Sequence, residues 1–440
     1  MNRILLVLVS LLFAGTTATA QEMTVKKAAF FDETPPLREM KLIEPGERDR
    51  SWKDNVIRNE TDPRLERINR SKETKPIGPD PLWQKEMGSI RTNEPIQNFE
   101  GTPNVNGVYP PDTDGDVGPN HYFQMINLSF QIFDKEGNSL YGPADNSTLW
   151  DDFIGPWTGT NDGDPILLYD EEADRWMASQ FAINTDDGSY WELFAISKTP
   201  DPTGEYYRYA FEFPAFNDYP KIGIWHDAYY ASFNMFGSYN RVAGAAFERD
   251  AMLEGDPDAR MVLFDLPDDA QPWSMLPADF DGEEPAADRP NYFAYMVDDL
   301  FGGDDQIVFW EFDVDWDNTS NSTFEEAFSF DVSSFDSEIC PAYRNRCIPQ
   351  PETDVKLETL SDRLMFRLQY RDFGDYEVML TNHTVDVDGT GHAGIRWYEF
   401  RNEGDGWFLR QEGTFAPDSD NRWMGSIAMN DQGMIALGYS

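Results

Sequence analysis

Three aspartates alternate in a glycine-containing segment of the chain, Asp112, Asp114 and Asp116, with Gly115 between the last two. Carboxylates at alternate positions beside a glycine are typical of the start of a calcium loop, because Ca²⁺ takes several oxygen ligands. A complete EF-hand is excluded, since Phe123 occupies the twelfth position, where a bidentate Glu is needed. The residues therefore predict a simpler Ca²⁺ site. The alternative is a polar turn whose Asp side chains accept backbone N–H groups.

Motifs for other chemistry are few. The chain has no Gly-x-Ser-x-Gly elbow, no Cys-x-x-Cys, no phosphate-binding glycine loop and no zinc-helix pair among its four histidines. Glycoside hydrolysis needs only two carboxylates, but 64 acidic residues lie within residues 101–440, so spacing alone nominates no pair. Glu192, Glu311 and Glu399 recur within a repeated motif, which favours a structural role. Whether the chain is an enzyme stays open, and the missing motifs favour a binding function.

The first twenty residues have the pattern of a secretory signal peptide. Arg3 precedes an apolar run at residues 4–9, and Ala18-Thr19-Ala20 provides a small-residue cleavage site. No later segment approaches the roughly 18 apolar residues of a membrane-spanning helix. The sequence therefore predicts a secreted protein, extracellular or on the cell surface.

Export also permits disulfides. The chain has two cysteines, Cys340 and Cys347, and an even pair in an exported protein predicts one bridge. The alternative, a metal-binding pair, needs further Cys or His close by, and the neighbouring sequence has none.

The chain is strongly acidic, with 80 Asp+Glu against 35 Lys+Arg and a net charge of −45. Residues 23–100 balance 15 basic against 15 acidic residues, so the whole excess lies in residues 101–440, with 19 basic and 64 acidic residues. This charge excludes nucleic-acid binding, which needs a basic surface. Aromatic residues make up 14% of the chain, which excludes general disorder. A glycan or a protein is the partner class that remains.

Two regions follow the signal peptide at residues 1–20. Residues 21–100 contain proline pairs and Gly-Pro steps that break long helices, and they predict an extended leader. Residues 101–440 show short aromatic and β-branched runs between Asp, Gly, Pro and Asn turns. Alternation of apolar and polar residues at 206–213 and 308–316 indicates half-buried antiparallel strands.

An internal repeat refines the prediction of the fold. The motif aromatic-aromatic-Glu-(Leu/Phe) occurs at residues 190–193, 309–312 and 397–400, and a strand–Asp-turn–strand pattern occurs at 165–181, 221–233 and 423–439. Repeats of roughly 40–50 residues that each supply four strands are typical of a β-propeller. We therefore expect an all-β propeller of about six or seven four-stranded blades, with a β-sandwich as the alternative. The last repeat breaks off at Ser440, which predicts a truncated C-terminal end, or else a blade that the leader completes.

The segment Pro-Pro-Asp-Thr-Asp-Gly-Asp-Val-Gly-Pro-Asn-His-Tyr at residues 110–122 resembles a segment found in large secreted bacterial proteins, many from Bacteroidetes-like lineages. The resemblance covers most of residues 100–440. It implies export and a propeller fold, and it implies no activity or ligand set. Further matching segments lie at residues 163–165, 174–176, 218–221 and 394–399.

The sequence thus predicts a secreted, acidic β-propeller that acts as a binding or surface-interaction module and is stabilised by Ca²⁺. The alternative is an exported carbohydrate-active hydrolase that uses a carboxylate pair within the propeller.

The calcium site predicts that added Ca²⁺ raises the midpoint of thermal unfolding and that a chelator lowers it, because a ligand of the native state stabilises that state. Calorimetric melting with Ca²⁺ and with EDTA measures this shift. NaCl at matched ionic strength is the control for charge screening. Equal midpoints in Ca²⁺ and in EDTA would remove the site.

Overall fold

A computed structural model describes residues 21–48, 50–53, 79–87, 95–237, 240–266, 272–301, 304–340 and 346–440. The predicted signal peptide lies outside these residues. The described residues are mainly strands with one short α-helix, α1 (Arg249–Glu254). Short 3₁₀ turns occur at Leu37–Glu39, Asn146–Thr148, Asp299–Phe301 and Thr319–Asn321. Within this part of the chain, no helix is long and apolar enough to cross a membrane.

The leader contributes three strands, and the main region contributes five antiparallel four-stranded units, an inserted hairpin and a two-stranded unit. The leader strands are β1 (Glu22–Lys27), β2 (Phe30–Glu33) and β3 (Trp83–Gln84). Unit 1 is β4 (Thr113–Val117), β5 (His121–Ile126), β6 (Ser129–Asp134) and β7 (Ser139–Asp145). Unit 2 is β8 (Ile166–Asp170), β9 (Arg175–Asn184), β10 (Ser189–Ser197) and β11 (Tyr206–Phe213). Unit 3 is β12 (Phe216–Ile224), β13 (Ala228–Phe236), β14 (Arg241–Glu248) and β15 (Arg260–Asp265).

The remaining strands follow the same order. Unit 4 is β16 (Leu276–Phe280), β17 (Asn291–Val297), β18 (Gln306–Asp313) and β19 (Thr323–Asp331). The inserted hairpin is β20 (Arg346–Gln350) and β21 (Thr353–Glu358). Unit 5 is β22 (Met365–Asp372), β23 (Glu377–Asp386), β24 (Ala393–Asn402) and β25 (Trp407–Phe415). Unit 6 has two strands, β26 (Ser426–Met429) and β27 (Ile435–Gly438).

Both repeats seen in the sequence occupy equivalent places in the units. The aromatic-aromatic-Glu motif falls on the third strand of units 2, 4 and 5, namely β10, β18 and β24. The strand–Asp-turn–strand pattern covers the first and second strands of units 2, 3 and 6. Unit 6 therefore consists of the first half of the same repeat.

The first strands of successive units lie side by side. β4 contacts β8, β8 contacts β12, β12 contacts β16, and β22 contacts β26. β16 and β22 form a parallel ladder at Ala278–Phe280 and Leu368–Tyr370, which joins units 4 and 5 into one sheet. First strands gathered about a common axis, with successive strands running outward, give a β-propeller-like arrangement.

The core lies between neighbouring units. Alternate residues of each strand face opposite sides of its sheet, and both sides are buried in the middle of the fold, as along all nine residues of β13. Phe194 and Phe211 of unit 2 pack against Phe247 of unit 3, with ring centroids 4.5 and 5.0 Å apart. Aromatic side chains therefore fill most of the space between sheets, as the composition indicates. The bridge between Cys340 and Cys347 is present, so the predicted disulfide is confirmed.

The leader lies along the outer edges of three units. β1 pairs with β15 of unit 3, β2 with β11 of unit 2, and β3 with β25 of unit 5. An outermost strand otherwise presents unpaired N–H and C=O groups that invite aggregation. The leader satisfies these groups on three of the units, so it is an integral part of the folded chain.

A buried ion pair fixes the second half of the leader to unit 5. Asp80 Oδ2 accepts a hydrogen bond of 2.6 Å from Arg396 Nη2, and neither side chain is exposed. Asp80 Oδ2 also accepts from Thr414 Oγ1 at 3.0 Å. Arg396 donates in addition to Ser333 O at 2.8 Å. The network leaves a buried guanidinium that depends on a residue far away in sequence.

We expect Asp80→Asn to lower the free energy of unfolding by up to about 3–5 kcal/mol, because removing one partner of a buried pair leaves the other charge poorly compensated. Glu412 Oε2, 3.7 Å from Arg396 Nη1, remains as a weaker partner. Urea unfolding measures the change. Asp201→Asn is the matched control, since Asp201 forms an ion pair with Arg38 in which both side chains are about half exposed, and such pairs contribute at most about 1 kcal/mol. Equal losses in the two variants would contradict the assignment.

Candidate functional site

The sequence-predicted aspartates of β4 join the first strands of units 1 and 2. Asp114 Oδ2 accepts a hydrogen bond of 2.8 Å from Leu167 N, and Asp116 Oδ2 accepts one of 2.9 Å from Tyr169 N. Acceptor and donor both advance by two residues, so β4 and β8 run in the same direction. The two carboxylates supply acceptors to a strand edge that has no backbone ladder with its neighbour.

The same arrangement recurs farther round the axis. Asp279 Oδ1 of β16 accepts from Ile224 N of β12 at 2.8 Å, and Gln369 Oε1 of β22 accepts from Met429 N of β26 at 2.6 Å. β12 approaches β16 so closely that a Cβ at Gly223 would lie 2.3 Å from Ala278 O. Polar side chains on the first strands therefore connect neighbouring units.

Arg367 forms the centre of a cluster of acids at the axis. Its Nη1 lies 2.7 Å from Asp279 Oδ2 and 3.8 Å from Asp116 Oδ2, and its Nη2 lies 3.2 Å from Asp281 Oδ2. These carboxylates come from units 1 and 4, so one guanidinium spans the axis. Burial raises the pKa of Asp279 to about 7, against the opposing effect of Arg367. We call these four residues the arginine cluster.

Arg367 and Asp116 each keep 25% of their side chain exposed although they lie on first strands near the axis. Asp279 is almost fully buried, at 2%. Water therefore reaches one side of the arginine cluster, and its other side is dry. A site of this kind combines solvent access at Arg367 and Asp116 with one buried carboxyl, Asp279, whose pKa lies near neutrality.

A second pair of carboxyls, Asp112 and Asp164, lies where β4 and β8 begin. Asn127 lies between the start of β4 and the start of β8. Its Nδ2 donates a short hydrogen bond to Asp112 Oδ2, and its Oδ1 packs against Gly163, which precedes Asp164. A Cβ at Gly163 would lie 2.1 Å from that Oδ1, and the residue has φ +110°, so only glycine fits here. We call Asp112 and Asp164 the acid pair.

The acid pair holds a proton at neutral pH. Burial, together with the negative charge of Asp164, raises the pKa of Asp112 to about 8. Lys221, Lys53 and Arg50 oppose that shift. Within the part of the chain that the structure describes, no residue donates a hydrogen bond to the Asp164 carboxylate. The pair thus presents one protonated carboxyl and one acceptor without a partner, a combination suited to acid–base catalysis.

Several units enter their first strand through a residue in the left-handed region. Because Ser274 and Met424 share this conformation with the acid pair, the conformation belongs to the repeat and is not specific to catalysis. What differs is the side chain that each unit places there, and units 1 and 2 place a carboxyl. The φ values are 41° at Asp112, 48° at Asp164, 49° at Ser274 and 48° at Met424. Tyr219, with φ 55°, lies within β12 at its irregularity and does not precede the strand.

Lys221 is one of four lysines within residues 101–440. The register of β12 shifts between Asp218 and Lys221, and such a bulge redirects the side chains that follow it. Lys221 Nζ lies 4.0 Å from the centre of the Tyr219 ring and donates to Pro220 O at 2.8 Å. It places positive charge near Asp112 and Asp114. Burial raises the pKa of Asp114 to about 6.

The acids named from the sequence therefore have different neighbours. Asp112 lies near enough to Asp164 for the charge of Asp164 to raise its pKa, while Asp114 and Asp116 accept hydrogen bonds from backbone N–H groups of β8. The Ca²⁺ site at these three residues stays a prediction. The sequence reasoning missed Arg367 and did not pair Asp164 with Asp112. The scarcity of lysine was a usable signal for Lys221, whereas nothing local distinguishes Arg367.

Among the described residues, three carboxylates do converge elsewhere. Oxygens of Asp298, Asp299 and Asp305 lie within 4.8 Å of one another, and this group could hold a metal ion. Two of the three already accept backbone hydrogen bonds: Asp298 from Leu300 N and Ser337 N, and Asp305 from Asp299 N and Phe335 N. These bonds give the cluster a structural role, because they cap the turn at Asp299–Phe301 and tie its flanking residues to the segment at residues 335–337.

Comparison with known proteins gives distant structural similarity only. No protein-family model and no curated protein sequence matches the chain. An endo-arabinase from Bacteroides thetaiotaomicron is 13% identical over 63% of this chain and 88% of that one, with a TM-score of 0.30. An α-L-arabinanase from Penicillium chrysogenum, complexed with arabinobiose, is 9% identical over 77% and 96%, with a TM-score of 0.37. A sialidase from Trypanosoma rangeli is 10% identical over 74% and 51%, with a TM-score of 0.34.

At these scores the similarity carries no argument about the activity of this chain. It names no family, so the resemblance to secreted bacterial propellers stays a prediction.

The raised carboxyl pKa values predict that stability falls as the pH rises. Asp112, Asp114 and Asp279 have pKa values of about 8, 6 and 7 in the native state, whereas an unfolded Asp has a pKa of about 3.9. Between about pH 4 and pH 8 the native state therefore holds more protons. For each such extra proton, the free energy of unfolding falls by about 1.4 kcal/mol when the pH rises by one unit.

Urea unfolding between about pH 5 and pH 8 tests this slope. Asp112→Asn should flatten it across the whole range, because the amide imitates the protonated carboxyl and removes a group whose native pKa is about 8. Asp354→Asn, at an exposed position, should leave the slope unchanged. A free energy of unfolding that rises with pH would contradict the assignment.

Proposed function

We propose that the protein is an exported carbohydrate-active hydrolase whose catalytic carboxyls are Asp112 and Asp164. The observation that carries the proposal is the acid pair: a carboxyl with a raised pKa beside one without a hydrogen-bond donor. Glycosidic bonds are cleaved by two carboxyls of this kind, one protonated and one ionised. The neighbouring arginine cluster supports the proposal, because it provides water access and further acids at the same axis.

In this proposal Asp112 is the general acid. Its proton passes to the glycosidic oxygen as the bond between that oxygen and the anomeric carbon breaks. Asp164 acts on the opposite face of the sugar ring. It either attacks the anomeric carbon itself or takes a proton from the water that attacks this carbon. Both routes consume one water and return the proton to the pair. The anomeric configuration of the first product distinguishes the two routes.

Lys221 and Arg50 moderate the pair electrostatically. Both lower the pKa of Asp112, which burial and Asp164 raise. The balance keeps Asp112 protonated near neutral pH while still allowing it to release the proton, and a catalytic acid works best with a pKa near the working pH.

A bound Ca²⁺ at Asp112, Asp114 and Asp116 competes with this role. A divalent cation favours ionised ligands and would remove the proton from Asp112. Hydrolysis that increases on chelation supports Asp112 as an acid, and hydrolysis that needs Ca²⁺ supports the calcium site.

A binding module is the second candidate. It is favoured by the hydrogen bonds of Asp114 and Asp116 to β8, which show that acids at the axis serve to join the units. If the acid pair has the same purpose, the chain is a secreted propeller that recognises a glycan or protein through its loops.

The finer description of the protein belongs to the same proposal. We take units 1 to 6 as six propeller blades, the sixth represented by its first two strands. Export is supported by the disulfide between Cys340 and Cys347, which forms in oxidising compartments.

Asp164→Asn and Asp112→Asn should each reduce hydrolysis about 10²–10⁴-fold, because each removes one member of an acid–base pair. Reducing-sugar release from a panel of soluble polysaccharides, including arabinan and xylan, measures the loss. Asp354→Asn should retain full activity, and circular dichroism should show that all three variants are folded. Full activity in Asp164→Asn would exclude the pair, and no hydrolysis by the unmodified protein would favour the binding module.

A further inference from the structure

Tyr109 lies three residues before Asp112 and is 82% exposed. Single exposed apolar residues are normal on protein surfaces, so exposure alone has no meaning here. What distinguishes Tyr109 is the way in which its backbone is held.

The segment before Asp112 is fixed by the side chains of three asparagines. Asn104 closes a loop on itself, because its Nδ2 donates to Val108 O at 2.7 Å and its Oδ1 accepts from Val108 N at 3.1 Å. Asn106 Nδ2 donates to Gly46 O of the leader at 2.8 Å. Tyr109 therefore follows a loop that is closed locally and anchored to another part of the chain.

Asn127 fixes the other side of Tyr109. Its Nδ2 donates to Pro110 O at 3.1 Å, its backbone N–H donates to Pro111 O at 2.8 Å, and the same side chain binds Asp112. The two prolines restrict the backbone further, because their rings lock φ. One asparagine thus sets the position of Tyr109's neighbours relative to the acid pair.

The backbone of Tyr109 lies close to that of Asp112. Three residues of extended chain span at most about 11 Å, so the Tyr109 backbone lies within that distance of Asp112. A glycan chain bound across the acid pair extends beyond the bond that is cleaved, and its next sugars lie at such a distance. A rigid aromatic residue offers binding area with little loss of side-chain entropy.

We propose that Tyr109 is a sugar-binding residue that stacks on a glycan whose cleavable bond lies at the acid pair. The inference rests on the proposed function for the identity of the reaction, but not for the binding itself. The apolar C–H face of a sugar ring complements the electron-rich face of a tyrosine ring. The ligand class is a glycan of several units with at least one ring beyond the acid pair.

Tyr109→Ala should raise KM for a long oligosaccharide about tenfold and leave kcat within about twofold, because a contact equal in ground and transition states changes binding alone. Tyr109→Phe should retain the wild-type KM, since the ring and not the hydroxyl makes the contact. The effect should vanish for the shortest substrate that is still cleaved. Met434→Ala, at a 59% exposed residue of unit 6, is the control and should change neither constant.

Calorimetric titration of arabinan and xylan oligosaccharides into the Asp164→Asn protein separates this inference from the proposed function. If the unmodified protein hydrolyses no glycan but an oligosaccharide binds and Tyr109→Ala weakens binding about tenfold, the hydrolase proposal fails and the inference stands. If hydrolysis occurs and Tyr109→Ala changes neither KM nor affinity, the inference is overturned. It is also overturned if none of the glycans binds, or if Tyr109→Phe is as weak as Tyr109→Ala.

Discussion

The backbone N–H groups along the first strands impose the constraint on which the rest of the fold depends. These strands lie side by side about an axis, and in the described part of the chain only β16 and β22 form a backbone ladder. A buried N–H without an acceptor costs about 1–3 kcal/mol, and at three other junctions side chains supply the acceptors. Asp114, Asp116 and Asp279 supply them as carboxylates, and Gln369 supplies one as an amide.

That solution has an electrostatic consequence. Asp114 and Asp279 lose water at the axis and lie near other carboxylates, so the pKa values of both rise, and a cation is needed among these acids. Arg367 is that cation, because its guanidinium reaches Asp116, Asp279 and Asp281 at once. The acid pair stands apart from this arrangement. Asp164 accepts no hydrogen bond from the described residues, and its carboxylate takes no part in the hydrogen bonds by which Asp114 and Asp116 join β4 to β8.

The strands could be predicted from the sequence because their signals are local. The aromatic-aromatic-Glu motif fell on third strands, and the strand–turn–strand pattern fell on first and second strands. The site could not be predicted in the same way, since Asp112, Asp164 and Arg367 meet only when separate units surround one axis. The partner of a leader strand could not be predicted either. The residues of β1 could pair with the free edge of any unit, and only the structure shows that they pair with β15.

The leader also explains why the charge is divided as it is. Its basic residues form ion pairs with acids of the main region, as Lys27 does with Asp258, Arg48 with Asp145 and Arg38 with Asp201. A leader as acidic as the strands that it covers would be repelled from them, because like charges in contact destabilise an edge pairing. In the described part of the leader, these ion pairs allow it to lie on an acidic surface. Salt then acts in two opposed ways: it screens the repulsion among the acids and weakens the exposed pairs that hold the leader.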